Sequence, residues 1–152
     1  MDVIDVKILN ILQENSRVSI SELSKQVSLS LSAVSERLKK LEASDTISAY
    51  TVILNPKYLG KDLSVMINIS LDSPTQTEAF LQLVNDEEEI LECHYITGEY
   101  DYMLKVTTKN TQTLEEIMNR IKSFPGIKRT QTNVILSTTK QKYSLPPKAN
   151  KK

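Results

Sequence analysis

Ser30, Ser32, Ala33 and Ser35 place small, mostly hydroxyl-bearing side chains together, and Glu36, Arg37, Lys39 and Lys40 place charges directly after them. Hydroxyls and a small methyl group suit a close approach to base edges. Guanidinium and ammonium groups suit phosphate oxygens. Short polar groups first and cations further along is the order a helix needs when its N-terminal end enters a major groove. At helical spacing Val34, Leu38 and Leu41 fall on one face. Ser32, Ser35, Glu36, Lys39 and Lys40 then occupy the opposite face, with Arg37 at its border.

The elements that must present this face are legible just upstream. Ser30 is a natural N-cap, because its hydroxyl can accept a free backbone N–H. Ser19 and Glu22 have the spacing of a capping box. Ile20, Leu23 and Val27 give the helix that follows an apolar face. Ser28-Leu29-Ser30 is the turn between two short helices. Two such helices at an angle describe a DNA-binding helix-turn-helix. A plain helical hairpin shares the capping and the periodicity, and the residue types on the exposed face favour the DNA reading. Asp2 caps a preceding helix running to about Glu14, with Ile4, Ile8, Ile11 and Leu12 as its stripe. Asn15-Ser16-Arg17 breaks it. The three helices form a unit over residues 1–46, too small to bury much surface alone.

The chain has 152 residues, 39% of them hydrophobic and 25% charged, an ordinary globular composition. Lys+Arg and Asp+Glu stand at 19 each, so bulk charge does not drive any nucleic-acid binding. A local basic face and multivalency must do so. Cys93 is the sole cysteine, which excludes an intrachain disulfide and a CxxC metal site. The acidic start MDVIDVKILN lacks the basic region of a signal peptide, and no apolar run approaches the roughly 20 residues of a bilayer span. A cytoplasmic, nucleoid-associated protein with no membrane contact is expected.

Ile47 to Leu54 alternates like a strand and Asn55-Pro56 ends it, so residues 47–61 read as a strand linker. From Asp62 the pattern becomes mixed. Leu63 to Leu71 alternates as a half-buried strand. Thr75 and Glu78 suggest a capping box for a helix carrying Phe80, Leu83 and Val84. Ile90 to Thr97 and Tyr100 to Thr107 read as strands around a Gly98-Glu99 turn. A helix with Leu114, Ile117, Met118, Ile121 and Phe124 stops at Pro125-Gly126, and Ile127 to Thr138 is the last strand. The order β-α-β-β-α-β is the ferredoxin-like arrangement, over residues 62–140. Its helix-free face mixes Met66 and Met103 with Ser64, Asn68 and Lys105, which suits a subunit interface. Residues 141–152 read as a flexible, Lys-rich tail. The fold class expected is α+β.

A helix-turn-helix, a strand linker and a βαββαβ domain at this length resemble the Lrp/AsnC (leucine-responsive, feast/famine) transcription regulators. The resemblance is carried by Asp5-Val6-Lys7-Ile8-Leu9, by Ser30 through Glu42, by Ile47-Ser48-Ala49-Tyr50-Thr51 with Leu59-Gly60, and most of all by Ile96 through Lys105. It covers residues 1–140. Asp45-Thr46 stands where the family usually has Gly. The resemblance implies sequence-specific DNA binding and homodimers that assemble into octamers. It also implies a small effector, usually an amino acid, bound between subunits.

Under that resemblance the turn Thr97–Tyr102 is the candidate effector site. Gly98 permits close approach to backbone N–H groups that suit a carboxylate, and Asp101 suits an ammonium. Tyr100 and Tyr102 flank the acid, and Thr130 and Thr132 add hydroxyls by analogy. Taken without the resemblance, the same turn reads as a hairpin with a solvated acid. No catalytic constellation is found. His94 is the only histidine, and its neighbour Cys93 must point to the opposite face of a strand. No catalytic residue, metal or cofactor is expected. The remaining rival is an architectural DNA-binding protein indifferent to effectors.

Overall fold

Asp2 opens the first helix, α1 (Val3–Glu14), as its position suggests. Its carboxylate accepts the Asp5 amide at 2.8 Å, and the Asp5 carboxylate accepts the Asp2 amide at 3.0 Å. Both orphan donors are thereby satisfied. Helix α2 (Ile20–Val27) begins with only half of its expected box. Ser19 Oγ accepts the Glu22 amide at 3.1 Å, but the Glu22 carboxylate turns down the helix to Gln26. Ser28 closes α2 in the left-handed conformation, φ +55°. Helix α3 (Leu31–Ala43) follows at once, with Ser30 Oγ accepting the Ala33 amide at 3.2 Å.

The coordinates form a computed structural model that describes residues 1–149. Contacts divide the chain into one unit of residues 1–53 with the described residues from 140 onward, and another of residues 54–139. In the first, Ile8, Leu9, Leu23, Val27, Val34 and Leu41 are buried together, with Leu38 and Ile47 packed against them. Ile20, expected on the apolar face of α2, is instead 42% exposed.

The expected strand at Ile47–Leu54 forms no ladder in the single chain. Ile47 packs on the helices, but Ser48 to Leu54 is exposed, Val52 by 79% and Leu54 by 60%. Alternation supplies strand-like side chains, yet a ladder needs a second backbone alongside. Among the described residues none lies there. The tail also departs from expectation. Gln13 Nε2 donates to Ser144 Oγ and to the Leu145 carbonyl, both at 2.9 Å, so this part is held while lacking helix or strand. The last residues of the expected tail, 150–152, lie outside the described residues.

The second unit has β1 (Leu63–Leu71), α4 (Thr77–Asp86), β2 (Ile90–Tyr95), β3 (Tyr102–Thr108), α5 (Thr111–Lys122) and β4 (Ile127–Val134). The sheet runs β2-β3-β1-β4 with every neighbour antiparallel. This is the ferredoxin-like order. The Thr75–Glu78 box does not form. Ser73 accepts the Thr75 amide instead, Pro74–Gln76 makes a 3₁₀ turn, and α4 starts only at Thr77. Proline presets φ for such a first turn. Strand β4 ends at Val134, opposite Val65, because β1 has little length left to pair with.

Val65, Ile67 and Ile69 of β1 and Leu104 and Val106 of β3 are fully buried against Phe80 and Val84 of α4 and Ile117 and Ile121 of α5. Alternation sends Ser64, Met66, Asn68, Met103 and Lys105 to the helix-free face, where each is half-buried. Cys93 pairs with Leu104 and His94 with Met103, so these two neighbours do point to opposite faces. Burial pushes the Cys93 thiol above its ordinary pKa.

Candidate functional site

Helix α3 presents a continuous polar face. Ser30, Ser32, Glu36, Lys39 and Lys40 are exposed, and Ala33 and Ser35 are half-buried beside them. Ser30 Oγ serves as the cap and lies 3.1 Å from Ser32 Oγ. Lys40 reaches Glu36 one turn back at 2.8 Å, with both side chains about two-thirds exposed or more. An ion pair so wet opens at little cost when a phosphate competes. Lys39 has no ion-pair partner among the described residues. Leu31, absent from the expected DNA contacts, is 55% exposed at the first position of the helix. Its position beside the cap was the available signal.

Arg37, unlike Lys39, has ion-pair partners. Its Nη1 lies 2.7 Å from Oδ2 of Asp2, the cap of α1, and 2.6 Å from Oδ1 of Asp5 in its first turn. The guanidinium is thus engaged inside the unit rather than offered to solvent.

The turn between β2 and β3 is closed by backbone. The Ile96 amide donates to the Asp101 carbonyl at 2.8 Å, and the Asp101 amide donates to the Ile69 carbonyl at 2.9 Å. Gly98 has φ +125°, a conformation that L side chains rarely adopt, and a Cβ there would meet nothing within 4 Å. Among the described residues the amides of Gly98, Glu99 and Tyr100 make no intrachain hydrogen bond. Three neighbouring unpaired N–H groups are what a carboxylate needs. Asp101 sits beside them, half-buried, with Oδ2 accepting the Leu71 amide at 2.8 Å. Two further residues belong to this turn. Glu99 pairs with Arg129 at 3.1 Å, and the Arg129 guanidinium stacks 4.3 Å from the centre of the Tyr100 ring. The signal for Arg129 was its place on the strand opposite Ser70, whose hydroxyl donates to the Glu99 carbonyl.

The other expected members are not brought to the turn in one chain. Tyr102 is a core residue, 6% exposed, its ring 5.0 Å from that of Phe80. Thr130 and Thr132 pair with Ile69 and Ile67 and so share the helix-covered face. Thr132 Oγ1 donates to Met118 Sδ. Strand β1 lies between these threonines and the strand that begins beside Asp101. Thr97 is exposed at the mouth of the turn.

Comparison with known proteins agrees with this division of labour. Residues 1–48 match the family described as winged helix-turn-helix DNA-binding, and residues 64–145 match the Lrp/AsnC ligand binding domain. The chain belongs to the Lrp/AsnC family. It is a transcriptional regulator with a DNA-binding helix-turn-helix and a ligand-binding domain.

Within this Lrp/AsnC family, the chain is 37% identical over 148 residues to the HTH-type transcriptional regulator FL11 of Pyrococcus abyssi, covering 97% of both. It is 38% identical over 148 residues to the leucine-responsive regulatory protein of Escherichia coli, covering 95% of this chain and 90% of that one. Among solved structures, a Neisseria meningitidis transcriptional regulator in complex with L-Met superposes with a TM-score of 0.91 at 32% identity, covering 96% of each chain. Escherichia coli AsnC superposes with a TM-score of 0.89 at 28% identity, covering 97% of this chain and 99% of that one. No group of three or more metal-ligating side chains occurs among the described residues, and no described helix is long and apolar enough to cross a membrane.

Proposed function

We propose that this regulator binds specific DNA through α3 and that a free amino acid, bound at the turn from Thr97 to Asp101, sets its assembly or its DNA affinity. The observation that carries the effector half is the pairing of two complementary groups in one turn. Unpaired amides from Gly98 to Tyr100 suit an α-carboxylate, and the Oδ1 of Asp101 suits an α-ammonium. Relatives named for leucine and a neighbour solved with L-Met support the chemical class. In one chain the turn is open on its outer side, Gly98 and Glu99 being exposed, so the pocket is completed by a second subunit.

DNA contacts follow the same logic. Ser32 and Ser35 approach base edges, Ser30 and Ala33 admit close approach at the helix start, and Lys39 and Lys40 take phosphates once Glu36 releases Lys40. The regulator works in the cytoplasm, on the nucleoid, as a homodimer that assembles into octamers, and catalyses nothing. The half-buried mixed face of the sheet and the unpaired linker support assembly. Selection of bound fragments from genomic DNA, with and without pooled amino acids, tests the reading. A discrete set of fragments whose recovery changes with amino acids is expected. Recovery of the same fragments in both conditions would favour an architectural protein.

A further inference from the structure

We propose that Asp2 and Asp5 hold Arg37 as a positioning clamp that fixes α3 on α1 for DNA entry, and that Arg37 itself makes no phosphate contact. The proposal rests on the DNA-binding reading of α3. It contrasts the cations of one helix. Lys39 and Lys40 end in solvent, and the pair Lys40 makes with Glu36 is exposed on both sides. Arg37 meets two carboxylates through one nitrogen, at 2.7 and 2.6 Å, with Asp5 only 16% exposed and Arg37 29%. The acids are not free to drift, because each also caps the other's backbone amide. A guanidinium leaving this site for a phosphate would abandon two fixed, adjacent negative charges, one of them largely desolvated. Removing one partner from such a site is unfavourable.

Asp2 also stays charged. The Asp5 amide first, and then the Arg37 side chain, hold the Asp2 carboxyl below its ordinary value of 3.8. Asp2 caps α1 and Asp5 lies in its first turn, and this helix shares its apolar core with α3 through Ile8, Leu9, Val34 and Leu41. Packing along an apolar stripe leaves rotation and sliding soft. A charged contact at one end of the stripe removes that freedom, and a recognition helix needs its angle fixed to match half-sites in register.

The test measures affinity of the full-length protein for a duplex enriched by selection from random sequence, across a series of KCl concentrations. The double variant Asp2→Asn/Asp5→Asn keeps both capping side chains and removes only their charge. It is expected to bind about tenfold more weakly, with the salt slope unchanged. Arg37→Met, which keeps the stem, should behave alike, and Arg37→Lys should recover part of the loss. Tighter binding with a steeper slope in the double variant would overturn the proposal, because freed Arg37 would then be reaching DNA. So would an Arg37→Met slope lowered by about 0.9, the signature of one lost phosphate. Unchanged affinity in both would overturn it as well. If circular dichroism finds the double variant unfolded, Asp2→Asn alone decides by the same criteria, since Asp2 is the exposed half of the clamp. A wild-type protein that binds no duplex would strike the DNA-binding reading instead.

Discussion

Asp101 Oδ2 accepts the Leu71 amide at 2.8 Å, where the pairing of β1 with β4 slips register between Ser70 and Leu71. Leu71 lies past the last β1–β3 pair, Ile69 with Tyr102, so its amide has no ladder partner there, and the carboxylate supplies the acceptor. The acid proposed to hold an effector's ammonium is therefore also a structural acceptor. One oxygen serves the fold, and the other makes no hydrogen bond among the described residues.

That dual role separates two substitutions. Asp101→Ala leaves the half-buried Leu71 amide without its charged acceptor and should lower stability by about 1.5–3 kcal/mol. Asp101→Asn keeps an oxygen that can accept the same bond, and should cost less than about 1 kcal/mol. Urea unfolding of the two variants checks this. Equal losses would mean that the Leu71 contact carries no weight.

Gly98 is set by conformation rather than by crowding. A Cβ there meets nothing within 4 Å, but φ +125° strains any L side chain. Gly98→Ala should therefore cost roughly 1–3 kcal/mol and should reshape the amides that face a ligand. Thermal unfolding with parallel amino-acid titration measures both effects. A variant as stable as wild type would show that the turn relaxes freely.

Lys39 and Ser32 should fail differently. Lys39→Ala should weaken binding to all duplexes and lower the salt slope by about 1, because a phosphate contact carries no sequence information. Ser32→Ala should change which sequences are preferred while leaving the slope alone. Competition assays on matched and scrambled duplexes at several salt concentrations distinguish the two. A Lys39→Ala protein with an unaltered slope would remove Lys39 from the interface.

Three helix caps and the faces of β1 and β3 are legible in the sequence because local physics decides them. Asp2, Ser19 and Ser30 cap their helices because a short oxygen-bearing side chain next to an apolar stripe has little else to do. The alternation in β1 and β3 points to the correct faces because one face is packed by helices. What the sequence left illegible depended on a competing cap or on partners from other elements. Ile47–Leu54 has the composition of a strand and no strand beside it. Thr75 lost its cap role to Ser73 because Pro74 starts a turn one residue earlier. Nothing local to Arg37 says that Asp2 and Asp5 stand across from it. Tyr102 and the two threonines sat near the turn in family terms, yet strand register sends their side chains to the helix-covered face.

Assembly has its own test. The exposed linker carries Tyr50, Val52, Ile53 and Leu54 into solvent in a single chain, an apolar run that invites cover. Light scattering at micromolar concentration should give a dimer or a larger even-numbered assembly. A monomer would refute both the assembly and the shared effector pocket.

The central claim is that an amino acid binds at the turn of Gly98 and Asp101 and controls the regulator. Calorimetry with each of the twenty amino acids, on wild type and on Asp101→Asn, tests it most directly. At least one amino acid should bind the wild type, and Asp101→Asn should lose that binding while folding normally, because shape is kept and only the charge is gone. A wild type that binds none of them, or a variant that binds one equally well, would contradict the claim.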